Sequence, residues 1–392
     1  PLPPLPAPPP LSRPSSRPSS HPQAPPPPPD LGQVSSGTEL LVWRGELDAS
    51  DEPLDATIAG LAAETLAYPL AYGYSLVGEV VGVGRGAPAA LVGKLCFAFA
   101  PHAAAAFVPA DGLMAVPSDV GAADAAFLPA AETAVSLVHD AHPRLGETVA
   151  VFGQGVIGLL VTAALAAMGI RVHAVDLDPA RRDLARRLGA AVASGPEGAP
   201  RRAADVAIEC SGSPKALQAA IDAAIDHGTV VIASWYGRKP VALTLGMHAR
   251  AAPAAAACLQ PPGRGPQLHL STHHCTPRLR RRLAHLNSLP LPPSWAGTRF
   301  HRSHIKLIAS QVSAVPGGIA DTWSKARRFG AAWDLIRRVR PATCLVSVTL
   351  PLRRAAEGYA RLEAAKAVVV MLSYDEAREE EEATQGAALL GA

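Results

Sequence analysis

The sequence has little cysteine, few aromatic residues and almost no excess of charge of either sign. Five cysteines in 392 residues, without regular spacing, do not suggest a disulfide framework and fit a reducing compartment. We therefore expect a cytoplasmic protein, with an organelle such as a plastid as the alternative. A net charge of +3 from scattered basic residues indicates neither a nucleic-acid partner nor attraction to a membrane surface.

One long uncharged run occurs in an otherwise ordinary composition, which is 48% apolar and 18% charged. Residues 148–170 (TVAVFGQGVIGLLVTAALAAMGI) carry no charge over the length of a membrane span. Gly153, Gly155 and Gly158 interrupt this run where a buried strand would turn into a helix. We therefore predict a strand-turn-helix unit and no membrane span.

Two segments are dominated by residues that cannot build a packed core. Of the first 30 residues 15 are proline, so we predict disorder over residues 1–33. Residues 250–299 follow no helical or strand period and are predicted to be a low-complexity insertion. Translated intron sequence is an alternative origin for both segments. The acidic run after residue 374 predicts a solvated tail over 375–392.

The glycines of the uncharged run have the spacing of a dinucleotide-binding turn. Residues 149–152 form a short apolar strand that leads into them. Gly153 permits a tight turn, Gly155 lets the backbone approach a pyrophosphate, and Gly158 lets the helix pack on the strand. This unit predicts a nucleotide-binding crevice.

The start of the following helix and one carboxylate complete this predicted site. Val156 and Ile157 open the helix, whose N-terminal N–H groups and partial positive charge attract a phosphate. Asp176 ends the next predicted strand and can accept hydrogen bonds from both ribose hydroxyls, so NAD is expected over NADP. Arg181 and Arg182 could bind a 2′-phosphate, but we expect the helix that carries them to point them into water.

The alternation of strands and helices continues beyond this unit. In residues 205–237, small and aliphatic residues recur at three- and four-residue spacing and predict a helix that continues through Ile225 and closes at Gly228. Strands separated by helices imply an α/β fold with a doubly wound parallel sheet. Ser211 follows one strand and is expected beside the nicotinamide half of the cofactor.

With these motifs, the chain resembles the medium-chain dehydrogenase/reductase superfamily. The segments SSGTELLVWRG (35–45), YPLAYGYSLVGEVVGVG (68–84), FLPAAETAV (127–135) and VTLPLRRAAEGYARLE (348–363) resemble its active-site and domain-joining segments in the same order. The resemblance implies a GroES-like β-rich catalytic domain beside a Rossmann domain. It also implies a homodimer as a possible assembly.

The resemblance extends to zinc-type alcohol dehydrogenases but not to their metal ligands. The positions that hold zinc ligands in those enzymes are matched here by Ser36, Tyr74, Ser75 and Pro129. Zinc takes thiolate, imidazole or carboxylate ligands, so we predict no zinc and no other metal. The serine-glycine-threonine-glutamate opening is most similar to a zinc-free branch of bacteriochlorophyllide 2-hydroxyethyl dehydrogenase relatives.

Several residues are candidates for catalysis by resemblance or by chemistry. Thr38 matches a proton-relaying hydroxyl of metal-dependent relatives, and Thr133 matches a threonine beside the nicotinamide ring. Tyr74 occupies a vacated ligand position and is the leading candidate for a general acid. His102 is a further candidate for proton exchange. Glu39 is expected to make a supporting hydrogen bond, and Glu132 receives no role.

The predicted catalytic domain lacks the strands that precede the serine-glycine segment in the family, so it is expected to be N-terminally incomplete and to expose a sheet edge. The predicted organisation is a disordered segment (1–33), the catalytic domain (34–140), the Rossmann domain (141–249), the insertion (250–299), the end of the Rossmann domain (300–318), a return to the catalytic domain (319–374) and the acidic tail (375–392).

These expectations define a zinc-independent, NAD(P)-dependent oxidoreductase that transfers a hydride between its cofactor and a small-molecule substrate of the alcohol or ketone type. The resemblance to the bacteriochlorophyllide branch suggests a tetrapyrrole or another bulky hydroxyethyl compound as that substrate. A quinone or enone reductase is the nearest enzymatic alternative, because conjugate hydride addition can proceed without a strong Lewis acid. A nucleotide-binding protein without turnover is the alternative from another class.

Overall fold

The computed structural model describes residues 30–46, 68, 70–236, 239–243 and 303–374. The predicted insertion, the acidic tail and residues 1–29 of the predicted disordered segment lie outside these described residues. Within the described ranges, no helix is both long and apolar enough to cross a membrane.

Two six-stranded sheets form the framework. The strands in chain order are β1 (Leu31–Val34), β2 (Leu76–Glu79), β3 (Leu95–Ala98), β4 (Leu113–Ala115), β5 (Thr148–Phe152), β6 (Arg171–Val175), β7 (Val192–Ser194), β8 (Ala204–Glu209), β9 (Ala224–Ile232), β10 (Lys306–Ala309), β11 (Val346–Pro351) and β12 (Val369–Ser373). The α-helices are α1 (Thr38–Trp43), α2 (Ala122–Ala125), α3 (Leu128–Ala141), α4 (Val156–Ala167), α5 (Pro179–Arg187), α6 (Pro214–Ala223), α7 (Lys325–Val339), α8 (Pro341–Cys344) and α9 (Ala355–Glu363).

The second sheet in the chain has the order β7-β6-β5-β8-β9-β10, with every pair parallel. This is the doubly wound order of a dinucleotide-binding domain. Strand β5 is buried on both faces, as its unbroken apolar sequence predicts. Val149 and Val151 join the core beneath α3, α4 and α7, whereas Ala150 and Phe152 join the core beneath α6. The predicted fold class is confirmed.

The first sheet has the order β11-β12-β1-β2-β3-β4 and corresponds to the predicted catalytic domain. Strand β1 lies between β12 and β2 and is antiparallel to both, so it is a central strand. The prediction of disorder through residue 33 is therefore wrong for Leu31, Gly32 and Gln33, which belong to this strand. All four of its residues are buried, and Leu31 and Val34 join apolar cores on opposite faces of the sheet.

The helix predicted to reach Gly228 instead ends at Ala223. The residues that continue its apolar spacing belong to β9, where Ala224 pairs with Ala204 and Thr229 pairs with Val206 of β8. Backbone pairing with a buried neighbouring strand overrides the local helical period.

The predicted domain boundaries at 140 and 318 also differ from the structure. Helix α3 packs against α4 and α7, so residues 128–141 lie on the parallel sheet's side of the molecule. Helix α7 does so as well, although it follows residue 318. A buried ion pair joins these helices: Arg328 Nη2 lies 2.8 Å from Glu132 Oε1, and their side chains are 0% and 6% exposed. Glu132, which the sequence left without a role, thus connects α3 to α7.

Candidate active site

The glycine-rich turn after β5 leaves space for a ligand only where the motif requires it. Gly153 has φ +89°, and a Cβ there would lie 2.7 Å from the Cβ of Ser211. A Cβ at Gly158 would lie 1.9 Å from the carbonyl oxygen of Gly153. A Cβ at Gly155 would meet nothing within 4 Å. Gly153 and Gly158 therefore allow close packing of the chain, whereas Gly155 faces open space that a pyrophosphate can use.

Helix α4 begins beside this open space, at Val156. No side chain caps it, so its first-turn N–H groups are available to an anion. The Gln154 side chain is fully buried and stabilises the turn from below: Nε2 donates to the Val151 carbonyl at 3.1 Å, and Oε1 accepts from Thr162 Oγ1 at 3.0 Å. The motif alone did not identify Gln154. The geometry fits a dinucleotide, with Val156 and Ile157 contributing backbone groups.

Asp176 follows β6 and lies next to the same turn. Its Oδ2 accepts the Gln154 N–H at 2.6 Å, and its Oδ1 accepts the Asp178 N–H at 2.8 Å. A carboxylate has about four acceptor sites, so about two remain for ribose hydroxyls.

The expectation that the neighbouring arginines point into water is wrong. Arg182 Nη1 donates to the carbonyls of Asp176 and Leu177 at 3.0 and 2.8 Å, and Arg181 Nη2 donates to the Ala367 carbonyl at 3.3 Å.

Two further residues predicted to contact the cofactor have hydroxyls that already bind the protein. Ser211 Oγ donates to Glu209 Oε1 at 2.7 Å. Thr133 Oγ1 donates to the Pro129 carbonyl one turn earlier in α3, at 2.9 Å. Ser211 lies at the glycine turn, because its atoms pack against the position of Gly153. Its expected place beside the nicotinamide stays a prediction.

In the catalytic domain, the structure brings Tyr74 and Thr38 together. The Tyr74 phenol lies beside the hydroxyls of Thr38 and of Ser35, which precedes α1. Burial, followed by the negative charge of Glu39, raises the pKa of Tyr74 to about 12, although the two hydroxyls oppose this shift. Three hydroxyl groups therefore converge at the start of α1, and the phenol remains protonated at neutral pH.

Behind these hydroxyls, Glu39 organises a buried polar cluster. Its Oε1 accepts the Ser35 N–H at 2.8 Å, and its Oε2 accepts the Tyr359 hydroxyl at 2.6 Å. His102 Nε2 lies 3.0 Å from the same Oε2, and His102 Nδ1 lies 2.7 Å from the Tyr374 hydroxyl. Since the tyrosine hydroxyl can donate to Nδ1, Nε2 carries the hydrogen that faces Glu39. Tyr359 and Tyr374 were not among the sequence candidates.

His102 is tightly enclosed. Its side chain is 6% exposed. A Cβ at Gly73, which has φ +128°, would lie 2.7 Å from its ring, and a Cβ at Gly32 would lie 2.8 Å from its Nδ1. Both ring nitrogens have protein partners, so the geometry favours a role in holding Glu39 over direct contact with a substrate.

The residues matched to zinc ligands do not fit that metal. Ser75 is buried and donates to the Ala126 carbonyl at 2.6 Å, while Pro129 is a buried residue of α3. Tyr74 and Ser36 supply only hydroxyls, which are not zinc's preferred ligands in proteins. Throughout the described ranges, no group of three His, Cys, Asp or Glu side chains could hold a metal ion.

Comparisons with known proteins agree with this architecture. A family described as "Zinc-binding dehydrogenase" matches residues 156–252, which begin at α4 and do not include the positions matched to zinc ligands. "Probable D-xylulose reductase A" of Arthroderma otae is 34% identical over 139 residues, covering 32% of this chain and 39% of that protein. The chain thus matches about two fifths of the length of this curated relative.

Solved structures resemble the chain over most of its length. The 2R,3R-butanediol dehydrogenase of Bacillus subtilis aligns with a TM-score of 0.55 and 22% identity, covering 90% of this chain and 95% of that one. An alcohol dehydrogenase from Escherichia coli in complex with NADH aligns with a TM-score of 0.57 and 15% identity, covering 88% and 90%. At these identities the structural likeness shows the fold. In its glycine-rich crevice, its two sheets and its matched sequence, the chain is similar to enzymes of the medium-chain dehydrogenase/reductase superfamily.

Proposed function

We propose that the protein is an NAD(P)-dependent oxidoreductase that interconverts an alcohol and a ketone without a catalytic metal ion. The observation that carries the proposal is the convergence of Tyr74, Thr38 and Ser35, which lie in the two segments that resemble the superfamily's active-site segments. The relatives named for xylulose and butanediol support a small polyol or diol as the substrate.

The cofactor is proposed to bind at the glycine turn, with NAD preferred over NADP. Gly155 leaves room for the pyrophosphate, and Asp176 offers its remaining acceptor sites to the ribose. Arg182 is near enough to Asp176 to hydrogen-bond its carbonyl, yet the carboxylate would repel a 2′-phosphate. When bound, the nicotinamide accepts or donates the hydride.

Tyr74 is proposed to stabilise negative charge on the substrate oxygen. When Ser35 donates to the phenol oxygen, the phenolic hydrogen is free to donate to a substrate, and the Thr38 hydrogen is free for a proton relay. Its raised pKa makes Tyr74 a poor source of a fully transferred proton near neutral pH, so hydrogen-bond donation takes precedence over the general-acid role first predicted. This donor replaces the polarising effect that a metal supplies in other enzymes.

Thr38 is proposed to carry the alcohol proton away from the reacting oxygen. It lies partly exposed at the first position of α1, beside the Tyr74 phenol. A hydroxyl can accept one proton while donating another, so Thr38 can connect the substrate to water. Glu39 and His102 hold this part of the chain in place through Ser35, Tyr359 and Tyr374, and so have supporting roles.

The proposal is tested by measuring bound metal and turnover on the same preparation of the full chain. After dialysis against a chelator, NAD+ reduction is followed with butanediol and xylitol, and NADH oxidation is followed with the corresponding ketones. We expect turnover with substoichiometric zinc and no loss of rate after chelation. Stoichiometric zinc with rate loss on its removal contradicts the metal-free mechanism. Cofactor binding without turnover on these compounds, on quinones or on enones supports a non-catalytic nucleotide-binding protein instead.

A further inference from the structure

Another buried carboxylate, that of Glu209, lies at the end of β8. It is separate from the site formed by Tyr74, Thr38 and Ser35. It is 0% exposed. Its Oε1 accepts the Ser211 N–H at 2.6 Å, the Ser211 hydroxyl at 2.7 Å and the Gly212 N–H at 3.0 Å. Its Oε2 accepts the Tyr236 hydroxyl at 2.8 Å. The four donors satisfy the carboxylate and bind the loop after β8 to the loop after β9.

All four donors are neutral groups, and no lysine or arginine within the described ranges forms an ion pair with Glu209. Neutral donors stabilise a buried carboxylate, but they do not cancel its field. That field reaches two neighbours. Burial is the largest cause that raises the pKa of the Cys210 thiol and of the Tyr236 phenol, and the negative charge of Glu209 is the second.

Glu209 lies at the carboxyl edge of the parallel sheet, beside the glycine turn. Strand β8 pairs directly with β5, and the Cys210 N–H donates to the Phe152 carbonyl at 2.8 Å, immediately before the turn. The loop held by Glu209 contacts the turn itself, because a Cβ at Gly153 would meet Ser211. The strand order reverses between β5 and β8, and dinucleotides bind in the crevice at such a reversal.

We propose that Glu209 is a specificity-determining residue for the redox state of the cofactor: its buried charge makes the crevice favour NAD+ over NADH. The inference rests on the proposed cofactor. The oxidised nicotinamide ring carries one more positive charge than the reduced ring, and a buried negative charge attracts that form selectively. A residue that only shaped the loop would change the affinity for both forms alike.

The test compares the ratio of dissociation constants for NAD+ and NADH in the full chain. NADH binding is followed by its fluorescence, and NAD+ binding is followed by displacement of NADH. Glu209→Gln keeps an acceptor for the loop and can donate to the Tyr236 oxygen, but it removes the charge. We expect it to raise the NAD+-to-NADH ratio of dissociation constants about fivefold, the factor that corresponds to about 1 kcal/mol.

Two further variants separate charge from structure. Tyr236→Phe removes one donor and keeps the charge, so the ratio should stay as in the wild type. Ser234→Asp adds a second carboxylate where the Ser234 hydroxyl accepts the Gly212 N–H at 2.8 Å, so the ratio should move in the opposite direction. This variant also decides the matter if Glu209→Gln does not fold.

The outcomes distinguish this inference from the proposed function. An unchanged ratio in folded Glu209→Gln, or in Ser234→Asp, overturns the role of the charge while leaving the cofactor site intact. Equal shifts in Tyr236→Phe and Glu209→Gln also overturn it, since the effect would then be one of loop geometry. Failure of the wild-type chain to bind either dinucleotide overturns both proposals.

Discussion

The Nε2 atom of His102 lies 3.0 Å from the Oε2 atom of Glu39, and their side chains are 6% and 1% exposed. This contact connects the loop after β3 to α1, and the partners of the two residues extend it to α9 and to the end of β12. A carboxylate and an imidazole join these segments through hydrogen bonds.

Removing the Glu39 carboxylate should weaken the catalytic domain. Glu39→Gln removes the charge that attracts the donors of Ser35, Tyr359 and His102. We expect the free energy of unfolding to fall by about 1–3 kcal/mol. The control is Glu363→Gln, which breaks an exposed ion pair with Arg44 and should cost less than about 1 kcal/mol. Urea unfolding of both variants measures the difference. Equal effects would show that the cluster contributes no special stability.

Loss of the Tyr74 hydroxyl should reduce kcat far more than it weakens substrate binding. A donor aimed at developing negative charge contributes about 10²-fold or more to kcat, so Tyr74→Phe should lower kcat by about that factor. Tyr68→Phe is the control, since that exposed phenol donates to the Val42 carbonyl. Steady-state kinetics, with the substrate that the proposed turnover screen identifies, gives kcat and KM. Wild-type kcat in Tyr74→Phe would refute the assigned role.

The raised pKa of Tyr74 also predicts how stability depends on pH. The pKa of Tyr74 in the folded state is about 12, against about 10 for an ordinary tyrosine, so folding favours the protonated phenol. Its contribution is complete below about pH 10 and is lost as the pH rises toward about 12. Unfolding of the wild type at about pH 8 and about pH 11 should therefore show a larger loss of stability than unfolding of Tyr74→Phe. Identical losses would place the phenol in a water-like environment.

The buried Arg328–Glu132 pair should be costly to break from either side. Arg328 also donates to the carbonyls of Val312 and Ala314. Arg328→Met leaves a buried carboxylate without its cation, and we expect a loss of about 3–5 kcal/mol. Adding Glu132→Gln should recover part of that loss. The exposed pair of Arg337 and Asp119 provides the control, where Arg337→Met should cost less than about 1 kcal/mol. Thermal or urea unfolding distinguishes these cases.

Replacing Asp176 tests the cofactor preference. Asp176→Ser should weaken NADH binding and shift the preference toward NADPH, because the ribose loses an acceptor and the 2′-phosphate loses a repulsive charge. Asp183→Ser on α5 removes an exposed carboxylate that pairs with Arg186 and should leave the ratio unchanged. Fluorescence titration with both reduced cofactors gives the ratio. An unaltered ratio in Asp176→Ser would disprove the role assigned to its carboxylate.

The features that the sequence predicted correctly are those whose cause is local. The strand-turn-helix at 149–167 was predictable because glycine spacing and unbroken apolar residues determine it within a few positions. Local spacing failed at Ala224, where pairing with β8 replaced the expected helix. The Glu39 cluster could not be found in this way, because Tyr359 and Tyr374 are supplied by distant parts of the chain. The role of Glu132 could not be predicted for the same reason, because its partner Arg328 lies 196 positions away.

The position of β1 has a consequence for the order of assembly. Gly32 pairs with Leu372, 340 positions later in the chain. The parallel sheet instead draws β5 to β9 from one continuous stretch, so these strands can associate while translation is still under way. The catalytic sheet must wait until β12 has left the ribosome. Until then its earliest strand has no partner on that side, and a newly made chain is most exposed to mispairing during this interval.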